Sequence, residues 1–191
     1  MTIVKDFMLK FPFQGENPAL TAQSIRIKLG QMQASFTSLE SLNIPTIAAI
    51  TGRCIGAGID LIAACDIRIC TSGSMFSIKE IDVGLAPDLG TIQRIPKCIG
   101  NVSLFNEYLF SCNTFDAKVA KEMGLVSRVF DNQREMDSYL TEFCRVVCLK
   151  PTVAVQTAKE SIVFSRDHSV KEGLQHINAL NGSMLQNISK L

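Results

Sequence analysis

An α/β fold with a parallel strand pair and a mainly helical C-terminal region is the fold class this sequence predicts. Three observations predict it. Residues 46–51 and 66–71 are short apolar runs of strand length, a helix-length segment joins them, and nearly everything after residue 132 reads as helix. A strand–helix–strand order of this kind implies a parallel pair with a right-handed crossover.

Residues 20–42 read as an amphipathic helix, because Ile25, Leu29, Met32, Phe36 and Leu39 recur at steps of four and three with polar residues between them. Asn43-Ile44-Pro45 ends it, since the residue before a proline is disfavoured in the helical region. Thr46-Ile47-Ala48-Ala49-Ile50-Thr51 suits a buried strand. A glycine-rich turn follows, then a helix over about 57–65 and a second strand, Asp66-Ile67-Arg68-Ile69-Cys70-Thr71. Residues 74–90 read as strand and loop, and 105–110 as helix. Asp116 is expected to cap a helix that stops at Gly124, before a strand over 126–130. Helices are expected over 133–149 and 151–164, the second with Pro151 in its first turn. Ser169-Val170-Lys171-Glu172 has the form of a capping box that opens a last helix. There is no internal repeat, linker or low-complexity tract.

Composition narrows the class of function. The 191 residues suffice for one domain with a real core, and 47% apolar against 19% charged residues is an ordinary globular balance. A net charge of +1 without a basic cluster gives no footprint for nucleic acid or an anionic membrane. No apolar run reaches the roughly 18 residues of a membrane span. The N-terminus lacks the layout of a secretory signal, and a mitochondrial presequence would need more arginine. Seven cysteines (54, 65, 70, 98, 112, 144 and 148) are an odd number set mostly among apolar residues, so reduced core cysteines are expected. Cys144 and Cys148 share a helical face, but nothing nearby completes a metal site, and no metal is expected. The final Ser189-Lys190-Leu191 has the form of the address read by the peroxisomal import receptor.

The chemistry concentrates between Ile50 and Gly90. Gly56-Ala57-Gly58 stands at the expected helix start, where N–H groups lack intrahelical partners and the helix dipole is positive. Small residues there let a ligand oxygen approach those N–H groups; equally, a tight strand-to-helix turn needs small residues for packing alone. A dinucleotide fingerprint is excluded, because Leu61 stands where its third glycine belongs and Ser72-Gly73-Ser74 follow the second strand instead of an acid. Asp60 lies in the first helical turn, where a carboxylate suits the dipole. Glu80 and Asp88 lie in a segment rich in Ile, Val, Leu, Ala and Gly. A carboxyl in an apolar cleft is pushed toward neutrality, as general acid–base work requires. Lys79 and Asp82 are the expected solvent-facing neighbours. No spacing rule by itself makes the three acids converge.

The run from Ile47 to Leu61, with Ala64-Cys65-Asp66-Ile67-Arg68, resembles the signature of the crotonase (enoyl-CoA hydratase/isomerase) superfamily. The likeness continues from Lys79 through Thr91 and in Gln93-Arg94-Ile95-Pro96. Within the superfamily the chain is similar to the Δ3,5-Δ2,4-dienoyl-CoA isomerases, a match strengthened by 124–130, 165–170 and 183–186, and the resemblance covers roughly residues 20–187. It implies a crotonase-type ββα spiral core, partial over 1–110, with a helical region over 111–191 in a single domain. It also implies an acyl-CoA thioester substrate, no cofactor beyond the coenzyme A of that substrate, and a homo-oligomer, trimer or hexamer.

Hydratases of this family are expected to carry glutamate at the positions of Asp60 and Glu80, and glycine where Asp88 stands. The Asp60, Glu80, Asp88 trio is the dienoyl-CoA isomerase pattern. By resemblance Glu80 works at C2 of the acyl chain, Asp88 at C6, and Asp60 orients and tunes the pair. The Ala57 N–H, with Gly56 and Gly58 beside it, serves the oxyanion hole.

The family's upstream A/S-G-x-D-L loop, source of the second oxyanion donor, has no counterpart before residue 50. The chain is therefore expected to begin after that loop, with an unfamiliar segment at 7–13 rich in Phe, Met and Leu. Three functions stay open: a dienoyl-CoA isomerase, a non-catalytic truncated form that binds partners or mixes into oligomers, and an enoyl-CoA hydratase. The expected location is the peroxisome, with the mitochondrion as alternative. His168 and His176 are expected in capping or surface roles, and Lys150 and Lys159 as ordinary solvated lysines.

Overall fold

The computed structural model describes residues 17–188; the segment 7–13 and Ser189-Lys190-Leu191 lie outside the described residues. The chain opens with helix α1 (Pro18–Glu40), capped by Asn17, whose side chain accepts from the Ala19 N–H at 2.9 Å. Its apolar stripe is only partly covered: Leu29, Met32, Phe36 and Leu39 are half-buried, Ile25 is exposed, and no residue of α1 is fully buried.

Strands β1 (Ile47–Ile50) and β2 (Arg53–Ile55), helix α2 (Ala57–Ala63), and strands β3 (Ile67–Thr71) and β4 (Met75–Ser77) follow. β1 and β3 pair in parallel with Ile47 opposite Ile67, as expected for a strand–helix–strand unit. The stretch read as a glycine-rich turn also holds β2, which pairs in parallel with β4. Arg53-Cys54-Ile55 is too short to show a period of two, yet only Cys54 of the three is buried. Beyond β4 come helix α3 (Thr91–Arg94), α4 (Val102–Ser111), strand β5 (Phe115–Asp116), α5 (Ala117–Met123) and strand β6 (Arg128–Phe130).

Two three-stranded sheets result, ordered β1-β3-β6 and β2-β4-β5. The chain alternates between them from β1 to β4, then lays β5 beside β4 before β6 returns to the first sheet. β5, unforeseen in the sequence, runs antiparallel to β4 and stacks Phe115 on Phe76 with ring centroids 5.5 Å apart. Fully buried Ile59, Phe76, Phe105, Ala120 and Met123 fill the core that the sheets share with α2, α4 and α5. Asp116 caps α5 through the Val119 N–H at 2.9 Å, and Gly124 ends it. The following strand starts later than expected because the Leu125 and Val126 N–H groups both donate back to Ala120 O, leaving the ladder to begin at Arg128.

The rest is helical: α6 (Gln133–Cys148), α7 (Thr152–Ser165) and α8 (Val170–Ile188). α6 packs on β3 and β6, and α7 on α8. The capping box forms, with Ser169 N–H donating to Glu172 Oε2 at 2.8 Å. His168 and His176 stack on the two sides of Phe164, at 3.6 and 4.1 Å between centroids. Two expectations are corrected here. Cys144 and Cys148 are exposed rather than in the core, because they lie off the face by which α6 packs; Cys54, Cys65, Cys70 and Cys112 are buried. Lys159 is not solvated: it is 5% exposed, ion-pairs with Asp66 at 3.0 Å and donates to Ile44 O at 2.8 Å. Asp66 Oδ2 also accepts from the Thr46 N–H and hydroxyl, so this cluster ties α7 to the join of β1 and β3.

Removing one partner of a buried ion pair costs about 3–5 kcal/mol, because the other charge stays buried and unpaired. Asp66→Ala is therefore expected to lower the unfolding free energy by about 3 kcal/mol in urea melts. Glu142→Ala, which breaks the exposed pair with Arg145, is expected to leave the urea midpoint where it is.

Candidate active site

β2 delivers the chain to Gly56, whose backbone (φ 57°, ψ −123°) favours glycine and turns strand into helix. The Gly56 N–H is anchored on Ser77 O at 3.0 Å, and its carbonyl accepts from the Ile59 N–H at 2.7 Å. Ala57 and Gly58 open α2, so their N–H groups precede the intrahelical ladder; Ala57 is exposed and Gly58 half-buried. A β-carbon on Gly56 would lie 3.4 Å from Glu80 Oε1, which places that carboxylate against the helix start.

Glu80 is held by its own backbone. Its carbonyl accepts from the N–H groups of Val83 (3.1 Å) and Leu85 (3.0 Å), closing a tight turn after β4. Its Oε2 is buried and has no protein partner among the described residues. Burial raises the Glu80 carboxyl above the ordinary glutamate value, and the charges of Asp60 and Asp88 push in the same direction. Lys79 and Asp82 pair with each other at 2.9 Å on the outside of this turn.

Asp60, one turn into α2, is 1% exposed. Its Oδ1 accepts from both the N–H and the hydroxyl of Thr91, each at 2.7 Å. Burial raises its carboxyl, the two Thr91 bonds oppose that, Asp88 adds to the rise and Arg94 opposes it. Asp88 is half-buried in the segment leading to α3, and its carbonyl accepts from Gln33 Nε2 of α1 at 2.7 Å.

Sequence reasoning missed what supports this turn. Gly90 (φ 131°) leaves a space that the Arg94 guanidinium fills, for a β-carbon there would stand 1.8 Å from Arg94 Nη1. Arg94 donates to Leu89 O at 3.2 Å, to Thr37 Oγ1 at 3.0 Å and to Glu40 Oε2 at 2.9 Å. Glu40 also pairs with Arg166, beyond the end of α7. The Gln-Arg after Thr91 carried the family resemblance, but its partners stand 54 and 57 residues away in sequence and leave no local signal.

The structure thus brings Asp60, Glu80 and Asp88 close enough to couple electrostatically, beside the N–H groups that open α2. Asp88 further lines a cavity of about 340 Å³ with Gln33, Gln93, Arg94 and Lys97, whereas Asp60 and Glu80 do not border it. Among the described residues no group of three His, Cys, Asp or Glu is arranged to hold a metal ion. N–H donors at a helix start beside a protonatable carboxyl with an uncommitted oxygen can hold a carbonyl oxygen and move a proton next to it, which is the equipment of enolate chemistry.

Comparison with known proteins decides the family. The enoyl-CoA hydratase/isomerase family profile matches residues 18–189. The chain belongs to the enoyl-CoA hydratase/isomerase family. It is 46% identical over 172 residues to the mitochondrial Delta(3,5)-Delta(2,4)-dienoyl-CoA isomerase of Mus musculus, covering 90% of this chain and 53% of the mouse protein. The peroxisomal enzyme of the same name from Arabidopsis thaliana is 39% identical over 171 residues, covering 90% of this chain and 61% of the plant protein. The chain spans between half and two thirds of the length of these curated relatives. A CoA-bound structure from Thermobifida fusca, designated an enoyl-CoA hydratase, superposes with a TM-score of 0.81 at 26% identity, covering 90% of this chain and 66% of that one. The paired sheets with their C-terminal helices are the crotonase fold.

Raised above its ordinary value, the Glu80 carboxyl binds its proton more tightly in the folded state than in the unfolded chain. Its favourable contribution is complete below the ordinary value of 4.5 and is lost as pH rises through the raised value. Glu80→Gln removes that loss. The variant is expected to melt at a higher temperature than the native chain in mildly alkaline buffer, with the advantage vanishing below pH 4.5. A variant that melts lower in alkaline buffer would show that the site stabilises the ionised carboxylate.

Proposed function

We propose that the chain converts 3,5-dienoyl-CoA to 2,4-dienoyl-CoA. The observation that carries this reading is the third carboxylate: Asp88 borders the cavity, and its charge pushes the Asp60 and Glu80 carboxyls up. The conversion removes a proton from C2 and adds one at C6, so it needs two proton-handling groups set apart along the acyl chain. In the proposed mechanism Glu80 takes the C2 proton, and negative charge moves onto the thioester oxygen, where the Ala57 N–H receives it beside Gly56 and Gly58. As the dienolate collapses, Asp88 gives a proton to C6, the new double bonds settle at C2 and C4, and the thioester carbonyl reforms. Return of the proton from Glu80 to Asp88 resets the site, while Asp60 remains the tuning charge. No cofactor enters beyond the coenzyme A carried by the substrate. The dienoyl-CoA isomerase names of the relatives support the same reading.

An ultraviolet assay with a 3,5-dienoyl-CoA tests it. The native chain is expected to generate 2,4-diene absorbance, and Asp88→Asn to lose at least about 100-fold in rate, the scale of one acid–base group. Water addition to a 2-enoyl-CoA in place of isomerisation would indicate a hydratase. Thioester binding without turnover would indicate a non-catalytic subunit that mixes into oligomers.

We further propose that the chain self-associates, as a trimer or hexamer, through its helical region. Leu149, Val153, Ile162, Val170 and Leu174 are exposed there, a concentration of apolar residues that water does not favour. Ser189-Lys190-Leu191 is proposed as a peroxisomal address, in keeping with the peroxisomal name of the plant relative; the mouse relative's mitochondrial name supports the alternative. A fluorescent protein bearing the last residues of this chain is expected to collect in peroxisomes, and to remain diffuse without Leu191.

A further inference from the structure

We propose that Thr91 is a positioning residue for the acid cluster: by placing two donors on one oxygen of Asp60 it fixes that carboxylate as an acceptor and directs the shared proton to Glu80 and Asp88. The inference rests on the isomerase reading of the site.

Thr91 is fully buried, Asp60 is 1% exposed, and both Thr91 donors converge on Oδ1 at 2.7 Å. A backbone N–H can only donate, so Oδ1 is committed to accepting, and any proton on Asp60 must sit on Oδ2. Hydrogen bonds to an ionised carboxylate are stronger than those to its neutral form, so the Thr91 pair favours the anion. Three other charged groups bear on Asp60. Glu80 and Asp88 repel its charge, and Arg94 attracts it. Burial and the two acids give Asp60 a claim on a proton that the proposed reaction needs elsewhere. The Thr91 hydroxyl opposes that claim.

Position 91 is itself rigidly set. It is the first residue of the four-residue α3, Gly90 precedes it, and Arg94 at the far end is bonded to Leu89 O, Thr37 and Glu40. Glu40 and Thr37 belong to α1, so the hydroxyl that meets Asp60 is located by a separate helix.

The test uses the full chain. Thr91→Val keeps the size and the N–H but removes the hydroxyl; Thr91→Ser keeps the hydroxyl. Thr91→Val is expected to lower kcat by about tenfold or more, the equivalent of one charge-assisted hydrogen bond, with KM within about twofold of native. Its rising pH–rate limb is expected to move to higher pH, because loss of a bond to the anion makes Asp60 harder to ionise. Thr91→Ser is expected to restore both rate and pH profile. In the ligand-free protein, the ¹³C carboxylate resonance of Asp60 is expected to titrate at higher pH in Thr91→Val and Thr91→Ala than in the native or serine forms. Native rate, profile and Asp60 titration in Thr91→Val would overturn the proposal, as would a serine variant that behaves like valine. A native chain that does not turn over the dienoyl thioester would defeat the isomerase reading alone, and the carboxylate titration would still decide the role of Thr91. Should the valine form fail to fold, the alanine form carries the same readouts.

Discussion

A carboxylate withdrawn from water needs hydrogen bonds in place of the solvent it loses, and Asp60 takes two of them from a single residue 31 positions away. That requirement organises the centre of the molecule. α2 must present Asp60 on its inward face, α3 must begin at Thr91, and the chain between Glu80 and Gly90 must bend to connect them. Arg94 secures the bend by tying it to Thr37 and Glu40 of α1, and Glu40 extends the tie to Arg166. A half-covered surface helix thereby becomes part of the frame around the acids.

The alternation of strands between two sheets supplies the rest. β2 and β4 lie side by side in one sheet, so the residues just past their ends, Gly56 and Glu80, meet although they are 24 positions apart in sequence. The helix start and the carboxyl are neighbours because their strands are neighbours. Groups mounted at the ends of paired strands keep their spacing without dedicated contacts between them. This accounts for how Glu80 Oε2 can remain buried with no protein partner among the described residues while the Glu80 carbonyl accepts from Val83 and Leu85.

Local physics made most of the elements readable. The stripe of α1, the Asp116 cap, the Gly124 stop and the Ser169–Glu172 box are signals contained within a few residues, and each stands where its chemistry requires. What escaped notice was non-local. β2 and β5 are three and two residues long and exist only because β4 lies between them. Lys159 carries no mark of burial in its own neighbourhood; Asp66, 93 positions earlier, makes burial tolerable. At the site, the residue types pointed to proton transfer, but the joining of Asp60 to Thr91 and of Gly90 to Arg94 belongs to the folded chain.

The Gly90–Arg94 pair also limits how this sequence can change. A side chain at 90 would occupy the place of the guanidinium, and the arginine cannot simply swing aside without giving up its bonds to Leu89, Thr37 and Glu40. The glycine's positive φ adds backbone strain to any replacement. Drift at position 90 is thus barred while position 94 keeps its partners, and loss of the arginine would first have to be tolerated by two helices. Mutational paths through this turn have an order of steps, and the first step is the costly one.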